Sequence, residues 1–275
     1  MRRRSSSPRA SPSSSVRMSR RLLIANAAAA LVLVVLFGWL CTAVFAVLGT
    51  QTDWTKAWEY RETLWRGWLV TLAISFSALA GSIIFGLLFM LGQRSPLVVI
   101  RWTCRGFLEF VRDTPLLVHL LFGYFVIFAP LMSKPLGHWG FDDKLIIGIL
   151  LLSVFEGAYL GEILRGGVDS IPRTQWESAR AVGFSKVQVY RHVIFPQALR
   201  RVLPAMAGLF VSLIKDSSLL NVIGITEYFY NTKNFISRSY AGLEGYIPLA
   251  LGYLILTLPV AYLSHWLEKR FRHET

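Results

Sequence analysis

Cysteine is almost missing from the sequence: Cys41 and Cys104 are the only two in 275 residues and have no CxxC spacing. Neither a disulfide framework nor a thiolate metal site is indicated. The dipeptide Gly-Lys does not occur, which excludes a phosphate-binding loop of the form G-x-x-x-x-G-K-[ST]. No His, Asp, Glu or Cys set has metal-ligand spacing, and no nucleophile and base converge, so neither catalytic residues nor a metal is expected. Acidic residues are scarce, 16 against 29 Lys and Arg, giving a formal charge of +13. In a soluble chain that excess would suggest nucleic-acid binding. Here the basic residues fall between long charge-free runs, which points to membrane topology instead, and no nucleic-acid partner is expected.

What the sequence has in abundance is apolar surface: 54% hydrophobic residues and a mean hydropathy of +0.48. The bilayer is the natural solvent for such a chain. Residues Met1 to Arg21 form an Arg/Ser/Pro tail with seven arginines, expected to be disordered, whose charge suits anionic membrane lipid or cytoplasmic retention equally. The uncharged run Leu22 to Leu48 is longer than the roughly 20 residues that cross hydrocarbon and reads as a retained, additional N-terminal span. Five further spans are predicted at Gly67 to Gly92, Leu116 to Met132, Leu145 to Ile163, Val202 to Ile225 and Gly245 to Trp266. The fold class is therefore all-α and polytopic, with six transmembrane helices. Lys and Arg gather in every second connection, so both termini are expected on the cytoplasmic side of a multi-pass cytoplasmic (inner) membrane protein.

The longest internal connection, about residues 165–201, reads RGGVDSIPRTQWESARAVGFSKVQVYRHVIFPQALRR. Its pattern predicts two short amphipathic helices, the first broken by Gly183 and the second ending near Pro196, with Trp176, Ala179, Val187 and Tyr190 on apolar faces. Such a hairpin suits a protein partner. In the spans, Glu156, Lys215 and Asp216 are costly unless paired or wetted. Two readings stay open for them: they line a substrate path, or they form structural ion pairs near helix ends. Glu162 with Arg165, one turn apart, reads as structural. His119 is a further path candidate, weighed against a packed polar residue. Small-residue stripes, Ala78-Ser82-Gly86 and Gly157-x-x-x-Gly161, allow close helix approach without identifying the face.

The connection resembles the EAA loop of ABC importer permeases. Glu177, Ser178, Ala179, Gly183, Val193, Phe195 and Pro196 fall at the family's spacing, with Ser178, Val193 and Phe195 departing from its usual residues. The segments GWLVTLAISF, FLEFVRDTPLLVHLLFGYF, AYLGEILRGG, LIKDSSLLNVIGITE and LTLPVAYLSHWLEKR extend the resemblance to polar amino acid permeases of the HisM/GlnP type over about 54–270. The resemblance implies a five-span type I importer core preceded by one extra helix. It also implies two permeases, alike or related, sharing a path. ABC ATPase subunits would bind the loop and carry the ATP and Mg, and an extracytoplasmic solute-binding protein would deliver an amino acid. A rival reading is a secondary transporter driven by an ion gradient, which would need no ATPase.

Overall fold

The computed structural model describes residues 20–48, 52–132 and 143–271. The chain divides into two compact units, 1–52 and 53–275. In the first, residues 1–19 of the expected tail lie outside the described residues, and its last two belong to helix α1 (Arg20–Leu48). The stretch Ala25–Ala46 of α1 is long and apolar enough to span a membrane, as the charge-free run predicts.

The second unit opens with the short α2 (Trp54–Glu59), started by Asp53, whose carboxylate accepts from the Thr55 amide. It continues through α3 (Arg61–Gln93), α4 (Val98–Asp113), α5 (116–132), α6 (Asp143–Asp169), α7 (Arg173–Ala181), α8 (186–216), α9 (Tyr228–Ser239) and α10 (Gly242–Phe271). No strand occurs among the described residues. Helices α3, α6, α8 and α10 each carry a membrane-crossing stretch, and α4 with α5 forms a pair bent by 110° at Thr114-Pro115. Pro115 denies Thr114 the helical region, and Thr114 is extended (φ −112°, ψ 139°). Its hydroxyl donates back to the Phe110 carbonyl at 2.6 Å, so it closes α4 and does not cap α5, as a simple N-cap would.

The core is built on α3 against α6, which run parallel. The two small-residue stripes of the sequence turn out to face each other. A methyl on Gly157 would sit 2.7 Å from the Phe85 Cβ and 3.3 Å from the Ser82 carbonyl, and one on Gly86 would sit 3.0 Å from Leu160. Ser153 joins the pair by donating to the Ala78 carbonyl at 3.3 Å. With no hydrophobic drive between helices in lipid, this close packing supplies the association. Around it lie Ile74, Leu108, Leu120, Leu152, Leu213 and Leu220. Helix α8 returns antiparallel to α6: Gly167 meets Val202 near one end, and Gly148 meets Leu220 and Ile225 near the other.

Two π-helical stretches, Phe122–Phe128 in α5 and Val189–Ile194 in α8, each end just before a proline, Pro130 and Pro196. Proline brings no amide donor and its ring crowds the carbonyl four residues back, and widening the turn relieves both. The correction this brings is that the second helix of the 165–201 connection does not end near Pro196. It continues through it to Asp216, where a 3₁₀ stretch, Ser217–Ile223, takes over. The loop expected between the last two spans also contains a whole helix, α9.

Candidate functional site

The connection after α6 folds as a tight hairpin of α7 and the start of α8. Gly183 has φ +87°, and the ending is a Schellman motif: the Phe184 amide donates to the Ala179 carbonyl (3.2 Å) and the Gly183 amide to that of Arg180 (3.0 Å). Ser185 then caps the next helix, with Gln188 returning the bond to the Ser185 amide at 2.8 Å in a capping box. Ala179 is buried with Ile171, Val189, Ile194 and Ala198, and Val193 packs against that cluster. The Trp176 and Tyr190 rings meet edge to face at 5.0 Å. Ala179 therefore holds the hairpin together. Glu177, Ser178, Gly183, Phe195 and Pro196 are exposed, as are the tip residues Val182 (72%) and Val187 (74%).

At the base of the hairpin an ion network joins three helices. Glu162 pairs with Arg165 at 2.8 Å and Arg112 at 3.6 Å, and Asp169 with Arg165 at 3.1 Å and also with Arg94. The sequence reading of Glu162 and Arg165 as structural fits this placement. Arg201 adds a bond to the Ser170 carbonyl at 2.6 Å, tying α8 to the turn before α7.

A second feature is a cavity of about 580 Å³ between α4, α5, α6 and α8, lined by Arg112, Asp113, Thr114, Glu156, Tyr159, Ser212 and Asp216 among others. Of the four path candidates, the structure brings together Glu156, which is buried, and Asp216, which line this cavity together. Lys215 does not join them. It is exposed and lines a separate cavity of about 490 Å³ with Ser218, Phe229, Tyr246 and Tyr253. His119 is also outside: its ring lies edge to face between Phe110 and Phe155, 5.5 Å from each, and its Nδ1 is 3.1 Å from the Pro115 carbonyl oxygen. It supports the wall of the cavity through Phe155.

The sequence pattern of the binding-protein-dependent transport system inner membrane component family matches residues 82–273, which include both features. The chain belongs to that family. It is a multi-pass inner-membrane permease. It is 33% identical over 222 residues to the glutamine transport system permease protein GlnP of Escherichia coli (strain K12), covering 81% of this chain and 99% of that one. It is 32% identical over 204 residues to the probable glutamine ABC transporter permease protein GlnM of Bacillus subtilis (strain 168), covering 74% and 91%. Among solved structures, a chain of an amino acid ABC transporter with histidines superposes with a TM-score of 0.71 at 29% identity, over 80% of this chain and 99% of that chain. A chain of the MetNI methionine ABC transporter, at 19% identity and TM-score 0.58, shares the fold.

The permease also carries a polar centre in the connection between the last two spans. Glu227, fully buried, starts α9: its carboxylate accepts from the amides of Phe229 (2.8 Å) and Tyr230 (2.7 Å) and from the hydroxyls of Thr71 and Tyr253, both at 3.2 Å. Thr71 in turn accepts from the Tyr228 amide at 3.1 Å. One side chain thus ties α9 to α3 and α10. Glutamate is not among the favoured N-caps, so local pattern alone favours Thr226.

Proposed function

We propose that this permease imports a polar amino acid at the expense of ATP hydrolysed on separate ABC ATPase subunits, which bear the ATP and Mg and dock on the 165–201 hairpin. An extracytoplasmic solute-binding protein delivers the cargo, and a second permease, a copy or a relative, completes the path. Both termini and the hairpin lie on the cytoplasmic side, on the distribution of Lys and Arg. The amino acid class follows the names of the relatives.

The observation that carries the coupling role is the continuity of the hairpin with a span. Its tip offers exposed Val182, Phe184 and Val187 beside Gly183, an apolar surface on a hairpin otherwise rich in charge, and its second arm runs unbroken through Val189–Ile194 into α8. A partner that grips the tip therefore pushes on a membrane helix. Glu156 and Asp216, at the other feature, serve as the polar lining of the path.

The test rests on Gly183. Nothing lies within 4 Å of a Cβ placed there, and its φ of +87° costs most side chains about 1–2 kcal/mol, Asn and Asp less. Gly183→Asp and Gly183→Asn therefore keep the turn while adding bulk where the partner docks. Both are expected to leave the protein inserted and folded but to abolish uptake, with ATPase activity uncoupled from transport. Normal uptake with normal ATPase activity in Gly183→Asp overturns the assignment.

A further inference from the structure

Helix α3 reaches the base of the hairpin through Arg94, and at its other end four tryptophans gather, Trp54 and Trp58 on α2 and Trp65 and Trp68 on α3. With Tyr228 and the first half of α10 they enclose a cavity of about 920 Å³. Glu244, in the first turn of α10, accepts from the Asp53 amide at 2.5 Å and so holds the start of α2 against α10. Two of the aromatic walls spend their polar atoms inside the protein: the Trp68 indole donates to the Gly252 carbonyl at 3.1 Å and the Tyr228 hydroxyl to the Pro248 carbonyl at 2.7 Å. The lining is therefore aromatic and aliphatic apart from one cation, Arg61. Its guanidinium lies 4.7 Å from the centre of the Trp58 ring and donates to the Trp58 carbonyl at 2.8 Å. Among the described residues no carboxylate pairs with it, and the adjacent Glu62 is turned to Arg66 at 4.0 Å.

We propose that this cavity binds one anionic glycerophospholipid of the outer leaflet, with its phosphate on Arg61 and an acyl chain between α2, α3 and α10. A space walled by apolar groups stays dry, and a bilayer supplies hydrocarbon to fill it. Arg61 is the first residue of α3, where the span begins, so its charge stands at headgroup level, and tryptophan favours that same level. From there the cavity follows α10 from Ile247 to Ile255, about 12 Å at 1.5 Å per residue, which is most of one leaflet of a core about 30 Å thick. A guanidinium can donate two parallel bonds to a phosphate, which fixes the headgroup as well as attracting it. A zwitterionic headgroup would bring an ammonium for which no carboxylate lines the cavity, so a net negative headgroup fits better. The volume lies within the about 300–1,000 Å³ usual for small-ligand sites. The leaflet follows from the Lys and Arg distribution that puts the hairpin in the cytoplasm, and the site itself is independent of the cargo.

The experiment is native mass spectrometry of the full-length permease, extracted in detergent and titrated with dioleoylphosphatidylglycerol, dioleoylphosphatidylcholine or the phosphate-free dioleoylglycerol. Arg61→Gln, the charge-retaining Arg61→Lys, the cavity-filling Ala57→Trp and, as a control, Arg238→Gln, which removes an exposed cation of α9 away from the cavity, are each checked for monodispersity. The wild type is expected to take up one phosphatidylglycerol per protomer, at least tenfold more tightly than either other lipid. That preference should fall tenfold or more in Arg61→Gln, persist in Arg61→Lys and Arg238→Gln, and disappear together with saturable binding in Ala57→Trp. If phosphatidylglycerol binds no more tightly than phosphatidylcholine or dioleoylglycerol, if the preference survives Arg61→Gln, or if Arg238→Gln weakens it equally, the charge on Arg61 selects nothing and the proposal is overturned. It is overturned as well if Ala57→Trp binds lipid as the wild type does, and a change in the number of protomers in that variant would then mark the cavity as a contact between proteins. Should Ala57→Trp fail to fold, the comparison of Arg61→Gln with Arg61→Lys decides alone.

Discussion

Removing the Glu227 carboxylate should melt α9 locally without unfolding the bundle. In Glu227→Ala the amides of Phe229 and Tyr230 and the hydroxyls of Thr71 and Tyr253 lose an acceptor they reach at 2.7–3.2 Å in a site closed to water. In Glu227→Gln one oxygen is kept, but the new amide group turns a donor toward donors. Loss of an N-cap costs about 0.5–2 kcal/mol. Each buried donor left without a partner adds about 1–3 kcal/mol where no water enters. Local relaxation recovers part of that sum, and about 3 kcal/mol is a fair working figure for either variant. At roughly 1.4 kcal/mol per decade this is about a hundredfold rise in the local opening constant. Hydrogen–deuterium exchange in nanodiscs reads it directly: amides of 228–239 should lose about two decades of protection while those around Ala78 and Gly157, in the α3–α6 seam, keep theirs. If peptides from 228–239 exchange within threefold of wild type in both variants, Glu227 is not the latch of α9.

Two further substitutions test the packing. Gly157→Val puts a branched Cβ 2.7 Å from the Phe85 Cβ and must part α3 from α6, lowering stability by about 1–3 kcal/mol, whereas Gly106→Ala, which meets nothing within 4 Å, should be silent in the same thermal melt. Asp169→Asn breaks the pairs to Arg94 and Arg165, yet all three side chains are partly exposed (29% for Arg94, 38% for Arg165, 50% for Asp169), so the loss should stay under about 1 kcal/mol and shrink in high salt.

The sequence made the spans legible because a bilayer demands long uninterrupted apolar runs, a signal that needs no knowledge of neighbours. The hairpin was legible for a related reason: Gly183, the Ser185–Gln188 box and Pro196 are local devices. What escaped was decided by partners distant in sequence. Nothing local distinguishes Glu156 from Lys215, since both are charges within apolar runs, and only the packing of α6 against α8 puts the first in a cavity with Asp216 and turns the second away. Glu227 sits between Thr226 and a run of tyrosine and phenylalanine, a loop by composition. Its role appears only when Thr71 and Tyr253, 156 and 26 residues away, close around it. Ala179 is ambiguous in the sequence for the same reason: a small residue on an amphipathic face suits docking or burial, and the crossing of α7 on α8 buries it.

The expectation that failed at Pro196 bears most on how the proposed docking would act. A helix ending there would leave the hairpin hanging on a hinge, and a partner's push would be spent in bending it. Proline usually kinks a helix because it removes one bond and clashes with the carbonyl four residues back. In this chain the turn ahead of it is already widened to the π spacing over Val189–Ile194, so the carbonyls find other donors and the axis continues. Residues 186–216 then form one continuous helix of about 46 Å at 1.5 Å per residue, with a second proline, Pro204, in its interior. At its middle Val202 fills the space over Gly167, and near its distal end Leu213 is fully buried in the core and Asp216 faces Glu156. A displacement imposed at Val187 is thus passed along a continuous helix toward the cavity, and the element on which the proposed partner would dock also carries Asp216.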